Sequence, residues 1–162
     1  MPKHVFLVTP GSIFGPEGDP THYPADIAIL MDLRGLLPEK PTQVLCGVGR
    51  RFLEIPRVWQ MPIDILAKAL GTADLPYYRD GQWLVRLPGG SVVTMDSLPR
   101  FDDLLPEANR LVVEAPEGSV IIAGRTYAEA MFGSRCPAGP MVLRLMINNG
   151  QITGNELLNP RG

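Results

Sequence analysis

Short, almost wholly apolar segments recur along this chain and are separated by longer stretches with a helical pattern. Residues 4–9 are apolar at nearly every position, which is typical of a central strand buried on both faces. Residues 43–46 and 119–123 have the same character. Because helical stretches lie between these segments, the pattern predicts parallel strands joined by helical crossovers.

Helices are predicted where apolar residues recur every three or four positions. The first follows Pro24 and ends before Gly35. The predicted helices cover 25–34, a start at Arg50 that Pro56 interrupts, 61–70 with Pro62 in its first turn, a segment after Asp96 that carries Phe101, Leu104 and Leu105, and 126–132. The long stretch 11–24 between the first strand and the first helix is predicted to be a loop, and loops of that length are usually functional or disordered.

Two antiparallel hairpins complete the pattern. Residues 82–95 contain two strand-like runs around Pro88-Gly89-Gly90, and residues 141–153 contain two more around Asn148-Asn149-Gly150. The element order β-α-β-α-(ββ)-α-β-α-(ββ) predicts a single α/β domain over 1–162. Its expected architecture is a three-layer sandwich with a mostly parallel central sheet, helices on both faces, and antiparallel hairpins, one of them at the C-terminus.

Composition narrows the classes of partner. The 162 residues carry a formal net charge of -2, which favours neither nucleic acid nor an anionic membrane as a partner. No apolar run approaches the ~20 residues needed to span a bilayer, and no secretory signal is recognisable, so a cytoplasmic protein is expected. The two cysteines, Cys46 and Cys136, and the two histidines have no metal-ligand spacing. We therefore expect neither a metal nor a cofactor.

Three predicted strands end in turns that contain glycine. In open α/β sheets, ligands bind beyond the carboxyl ends of the strands. Glycine lets backbone N–H groups approach an anion, a following helix start adds partial positive charge, and arginine binds phosphate through two hydrogen bonds. The expected ligand-binding residues are Thr9, Gly11, Gly47, Arg50, Arg51, Gly124 and Arg125. The simpler alternative is that the glycines only turn the chain and the arginines only solvate its surface.

Two well-known motifs that act on or bind phosphate groups do not match the sequence around Cys46. A cysteine-based phosphatase loop has five residues between its cysteine and its arginine, whereas Arg51 follows Cys46 after four and Phe52 stands at the required position. Cys46 is therefore expected to be a buried, inert strand residue. Gly47-Val48-Gly49 lacks the third glycine of the dinucleotide fingerprint, since Phe52 occupies that position too.

Two segments carry a resemblance to a known family. Leu7-Val8 is followed by Thr9-Pro10-Gly11, and Cys46 stands three intervening residues before Arg50. The chain resembles the histidine phosphatase (phosphoglycerate mutase-like) superfamily, in which a first strand of the type Leu-Val precedes Arg-His-Gly and a Ser-x-x-x-Arg turn follows a later strand.

The resemblance continues to the end of the chain. The family has a late aliphatic strand that ends in a second histidine and a glycine-rich helix start, and here residues 120–123 lead into Gly124-Arg125. The family often closes with a strand pair and a Leu-Asn segment, which Leu158-Asn159 match. The resemblance implies a phosphatase-like α/β fold over most of the chain.

The family's catalytic pair is missing from the matching positions. Pro10 stands where the nucleophilic histidine would be, Gly124 stands near the position of the second histidine, and neither His4 nor His22 replaces them in sequence. Histidine-phosphatase activity is therefore not expected, and whether the chain is an enzyme stays open. The resemblance implies a non-catalytic phosphatase-like domain that binds a phosphate-bearing small molecule or acts as a regulatory module.

Two other functions stay open. In the first, the chain is a transferase or hydrolase for a nucleotide or sugar phosphate, and the 11–24 loop does the chemistry through Ser12, Glu17, Asp19 and His22. In the second, the chain is a protein-interaction subunit without a small ligand, and its anchors are Trp59, Trp83, Tyr77 and Tyr78. The sequence leaves the oligomeric state open.

Overall fold

The structure, a computed structural model, describes residues 2–10, 13–14, 21–22, 24–71, 77–87, 90–132 and 139–159. Its strands are β1 (Lys3–Thr9), β2 (Ile13–Phe14), β3 (Thr21–His22), β4 (Val44–Cys46), β5 (Ile65–Leu66), β6 (Tyr77–Arg79), β7 (Gln82–Arg86), β8 (Val92–Thr94), β9 (Val120–Ile122), β10 (Met141–Asn148) and β11 (Gln151–Leu158). Its helices are α1 (Pro24–Leu33), α2 (Arg50–Trp59), α3 (Phe101–Glu114) and α4 (Arg125–Phe132). In these ranges, no helix is long and apolar enough to cross a membrane.

A six-stranded sheet with the order β11-β10-β1-β9-β4-β5 forms the centre of the fold. The strands β1, β9, β4 and β5 run parallel to one another, whereas β10 pairs antiparallel with both β1 and β11. The predicted mostly parallel sheet with an antiparallel C-terminal hairpin is therefore confirmed. A separate three-stranded antiparallel sheet, β6-β7-β8, contains the predicted central hairpin and one further strand.

Helices cover both faces of the central sheet, because successive side chains of a strand point to opposite sides. Leu7 belongs to one core cluster, which includes Val112 of α3 and Ala128 of α4. Val8 belongs to the second cluster, which includes Ile55 of α2 and residues of α1. The almost continuous apolar run of β1 thus supplies both cores, and the predicted three-layer sandwich is confirmed.

The helix predicted over 61–70 is wrong. Instead, the backbone N–H of Asp64 donates to the Val44 carbonyl oxygen at 2.9 Å, and the N–H of Val44 donates to Asp64 Oδ2 at 2.8 Å. The segment then pairs with the edge of β4 as β5 and ends in a 3-10 turn, Lys68–Leu70. Sheet hydrogen bonds over a long sequence separation therefore outweigh the local helical pattern.

Three further boundaries differ from the prediction. Pro56 does not interrupt its helix but lies buried inside α2, which continues to Trp59. The segment after Asp96 forms a short 3-10 turn, Met95–Ser97, and α3 begins only at Phe101. The 11–24 stretch, predicted as a loop, contains the paired strands β2 and β3.

The C-terminal hairpin follows its predicted turn. Asn149 and Gly150 adopt φ angles of 53° and 74°, the left-handed conformation that a tight two-residue turn needs at both positions. The second strand is longer than predicted, since β11 runs to Leu158 beside β10.

Candidate functional site

The carboxyl ends of the three central parallel strands meet at one edge of the sheet. In the register of the sheet, Val8 of β1 and Cys46 of β4 both lie opposite Ile122 of β9. The N–H of Ala123 donates to the Val8 carbonyl at 3.0 Å, and the N–H of Gly47 donates to the Ile122 carbonyl at 3.0 Å. The turns that follow β4 and β9 therefore start side by side, next to the end of β1. Gly11, the expected glycine after β1, lies outside the described residues.

Gly47 has a packing role in the turn after β4. A Cβ atom on Gly47 would lie 2.9 Å from the backbone nitrogen of Gly71, closer than real contacts allow. The Val48 N–H donates to the Gly71 carbonyl at 2.8 Å, and the Gly124 N–H donates to the Leu70 carbonyl at 2.9 Å. Because the N–H groups of Gly47 and Gly124 are bonded within the protein, any anion at this edge must be held by other donors.

Arg50 is the most accessible of the three expected arginines. It is exposed and is the first residue of α2, whose N-cap residue, Gly49, makes no side-chain capping bond. A Cβ atom on Gly90 would lie 3.8 Å from a guanidinium nitrogen of Arg50. Arg50 also lines a shallow depression of about 300 Å³ with Leu53, Glu54 and Arg57. Its cationic group and the helix start place positive charge together at this edge of the sheet.

Arg51 and Arg125 have partners within the protein. The Arg51 guanidinium carbon lies 4.6 Å from the centre of the Phe52 ring, which is the geometry of a cation–π contact. Arg125, the first residue of α4, donates from Nε to Glu129 Oε1 at 2.8 Å. An anion would therefore meet a neutralised Arg125, whereas among the described residues Arg50 forms no ion pair.

Thr9 ends β1 at the same edge, and its side chain is turned inward. Only 1% of the residue is exposed, and within the described ranges its Oγ1 atom has no hydrogen-bond partner. Strand alternation puts Thr9 on the face of Leu7, which α3 and α4 cover. Pro10, which follows it, is also buried. Thr9 lies next to the turns but does not present its hydroxyl to solvent.

Cys46 ends β4 as a buried, free thiol, as predicted. Burial raises the pKa of this thiol to about 12, because the thiolate would lose its hydration. Nucleophilic chemistry needs a thiolate, so Cys46 cannot supply it near neutral pH.

His4 lies at the opposite edge of the sheet. Its Nδ1 atom is 3.8 Å from a carboxylate oxygen of Glu117, in the turn that leads into β9. Thr9 is five positions further along the same strand, at a distance of roughly 16 Å. His4 therefore takes no part in chemistry at the carboxyl edge.

The structure describes only some of the residues expected to do chemistry in the 11–24 segment. Ser12, Glu17 and Asp19, expected in an enzymatic loop, lie outside the described residues, as does Cys136. His22 belongs to β3, opposite Ile13. In the ranges that the structure describes, no three side chains of His, Cys, Asp or Glu group closely enough to hold a metal ion.

The aromatic residues expected at an interface divide into two groups. Trp59 is buried in the core, and its Nε1 donates to the Leu30 carbonyl at 2.7 Å. Tyr78 and Trp83 face each other across β6 and β7, with ring centroids 5.4 Å apart, and are 62% and 54% exposed. Tyr77 is half-buried. Of the four expected aromatic residues, Tyr78 and Trp83 are therefore the most accessible to a partner.

A cleft of about 470 Å³ beside the turn after β4 was missed by the sequence reasoning. It is lined by Val48, Lys68, Leu87, Val93, Ser97, Leu98 and Pro99. These residues come from four separate segments. In the sequence, only the alternating pattern of the 82–95 hairpin indicates one wall of this cleft.

Comparison with known proteins supports the fold. No protein-family model and no curated protein matches the sequence. Solved structures do match. A protein assigned as phosphohistidine phosphatase SixA from Nakamurella multipartitia is 14% identical with a TM-score of 0.54, and the match covers 98% of this chain and 95% of that one.

Two mycobacterial structures match comparably. The product of open reading frame Rv3214 from Mycobacterium tuberculosis is 14% identical with a TM-score of 0.54, over 97% of this chain and 96% of that one. A mycobacterial glucosyl-3-phosphoglycerate phosphatase is 9% identical with a TM-score of 0.51, over 97% of each chain. The phosphatase-like α/β fold that the resemblance implied is thus confirmed, since this chain shares the fold of these solved structures.

Proposed function

We propose that this chain is a non-catalytic, phosphatase-like domain that binds a phosphate-bearing small molecule at the carboxyl edge of its central sheet. Two of the matching structures are named as phosphatases of phosphorylated substrates, and the ligand class is taken from them. The observation that carries the proposal is Arg50, an exposed cation at the start of α2 beside the β4 turn. Phosphate binding at helix starts with arginine is a common arrangement in proteins.

The non-catalytic part of the proposal rests on the residues at the strand ends. Phosphohistidine chemistry needs an imidazole nitrogen at the reacting phosphorus. Pro10 and Gly124 have none, and His4 lies at the far edge of the sheet. Cys46 offers no alternative nucleophile because its thiol is buried and its pKa is raised to about 12. We extend the proposal to a cytoplasmic setting, which suits this free thiol.

The binding test is thermal unfolding in the presence of inorganic phosphate, sulfate and a panel of phosphorylated metabolites and nucleotides. At about one hundred times the dissociation constant, a ligand stabilises the native state by roughly 2.7 kcal/mol, which corresponds to roughly 5–11 °C in Tm for a chain of this size. We expect a shift that Arg50→Gln removes. The matched control is Lys40→Gln, which also removes one exposed cation but lies before β4, at the opposite end of that strand.

The outcomes separate the alternatives. If no phosphate compound shifts Tm, or if Arg50→Gln and Lys40→Gln weaken binding equally, the binding site is wrong. A parallel assay follows p-nitrophenyl phosphate hydrolysis by the wild type and by His22→Asn. Turnover that disappears in His22→Asn would support an enzyme that uses the 11–24 segment and would overturn the non-catalytic proposal.

A further inference from the structure

The cleft of about 470 Å³, called the Lys68 cleft after the one charged residue among its described lining residues, is a second candidate binding region. One side is formed by Val48 and by Lys68 of the 3-10 turn beside β5. The other side is formed by the small sheet, through Leu87 and Val93, and by residues 97–99. The cleft therefore lies where the carboxyl edge of the central sheet meets the β6-β7-β8 sheet.

The described residues that line the cleft are mostly apolar, with one cation among them, and this combination suggests a ligand. Of the seven described residues that line it, five are apolar and the other two are Lys68 and Ser97. None of these described residues is acidic, and Lys68 makes no ion pair with any described residue. The Ser97 hydroxyl donates to the Thr94 carbonyl at 2.7 Å, so its oxygen is left as an acceptor. A concave apolar surface with one unneutralised cation fits a ligand that has an apolar body and an anionic group.

The apolar wall continues along the small sheet. Trp83 and Val85 alternate along β7 and so share one face, and Leu87 follows at the next alternate position, directly after the strand. Val93 lies opposite Val85 and therefore shares that face too. Val85 is buried, whereas Trp83 is exposed and pairs with Tyr78 at the end of the same face. Leu87 and Val93 are half-buried and line the cleft, so the apolar surface open to a ligand body lies at their end of this face.

The cleft adjoins the proposed phosphate site. Val48, one of its lining residues, is two positions before Arg50 in the turn that starts α2. On the other side, Leu87 belongs to a tight turn in which its N–H donates to the Ser91 carbonyl at 2.8 Å. Gly90 of that turn approaches the Arg50 guanidinium. The apolar walls and the exposed cation are therefore parts of neighbouring turns.

We propose that the Lys68 cleft binds the apolar body of an amphipathic anion, a phosphate monoester with an aryl or alkyl group, whose charged end lies between Lys68 and Arg50. This inference rests on the proposed function, because it assigns the substrate class of the same site. Lys68 acts as a specificity residue for the anionic end, and Val93 and Leu98 select the apolar body.

The test compares three probes by isothermal titration calorimetry on the full chain: inorganic phosphate, 1-naphthyl phosphate and the neutral 1-naphthol. We expect 1-naphthyl phosphate to bind at least about tenfold more tightly than inorganic phosphate, since burial of an aromatic group of this size is worth at least that factor. We expect 1-naphthol to bind more weakly than 1-naphthyl phosphate. The variant Lys68→Gln removes the cation, and Val93→Phe fills the cleft without adding charge. Lys40→Gln is the control for loss of one exposed cation.

The result that supports the inference is an aryl advantage that Val93→Phe removes while inorganic phosphate still binds, together with weaker binding of 1-naphthyl phosphate to Lys68→Gln than to Lys40→Gln. If 1-naphthyl phosphate binds no more tightly than inorganic phosphate, if Val93→Phe keeps the aryl advantage, or if Lys68→Gln binds 1-naphthyl phosphate as tightly as Lys40→Gln does, the inference is overturned while the phosphate site stands. If inorganic phosphate does not bind but 1-naphthyl phosphate binds through Lys68, the Arg50 site is wrong and the cleft stands. Urea unfolding of each variant shows whether it is folded, and Leu98→Glu, at a partly exposed position, replaces Val93→Phe if that variant unfolds.

Discussion

Replacement of Gly47 by alanine tests whether the turn after β4 is built for backbone packing. The Cβ atom of alanine would lie 2.9, 3.0 and 3.1 Å from the nitrogen, Cα and carbonyl oxygen of Gly71. Ordinary contacts begin near 3.4 Å, and all three neighbours are backbone atoms that no rotamer change can move. Gly71 cannot retreat freely, because a Cβ atom at Gly71 would itself lie 2.2 Å from the Phe52 ring, which shows how closely that ring is packed.

The magnitude follows from two contributions. Overpacking of a close contact costs about 1–3 kcal/mol of unfolding free energy. Displacement of the 67–71 segment also weakens the Val48–Gly71 and Gly124–Leu70 hydrogen bonds, each worth about 1 kcal/mol. Reduced entropy of the unfolded chain offsets this loss by about 0.4–1 kcal/mol. We expect Gly47→Ala to lower the free energy of unfolding by about 2–4 kcal/mol.

Urea unfolding followed by circular dichroism measures this change directly, and the corresponding decrease in Tm is roughly 5–15 °C. Gly35→Ala is the matched control, because a Cβ atom there meets nothing within 4 Å. We expect the control to unfold at the same urea concentration as the wild type or slightly above it. If Gly47→Ala is as stable as the control, the close approach of the two glycine backbones is refuted.

Three further predictions concern buried side chains. In a Cys136→Ser background, Cys46 should resist thiol reagents at pH 8 until urea unfolds the protein. The folded pKa of its thiol, about 12, exceeds the unfolded value near 9, so its contribution to stability should be complete below pH 9 and decline above it. Cys46→Ala should remove this dependence of stability on pH. Tyr127→Phe should leave urea stability unchanged or raise it by about 1 kcal/mol, because the buried hydroxyl has no partner among the described residues and burial raises its pKa; a loss above that size would contradict this. Trp59→Phe should lower the free energy of unfolding by about 1–3 kcal/mol, because the Leu30 carbonyl loses its indole donor; an unchanged midpoint would show that this bond contributes nothing.

The strands and the sheet type could be predicted because their signal is local. The apolar runs ending at Thr9, Cys46 and Ala123 are buried on both faces, and such burial leaves a pattern readable in a few neighbouring residues. The Asn149-Gly150 turn was predictable for the same reason, since both residues accept positive φ angles. The 61–70 segment was not, because its structure depends on hydrogen bonds to Val44 and Cys46, about twenty residues earlier.

The sequence by itself determined the α/β class, the three-layer architecture and the absence of histidine just after β1 and β9, where Pro10 and Gly124 stand. Only the tertiary structure decided what each candidate residue can do. In the folded protein, the N–H groups of Gly47 and Gly124 donate to carbonyl groups of the chain, Arg125 forms an ion pair with Glu129, and Arg50 is exposed. The reason is physical: burial and hydrogen-bond partners depend on segments distant in the chain, whereas strand and turn preferences depend on neighbours.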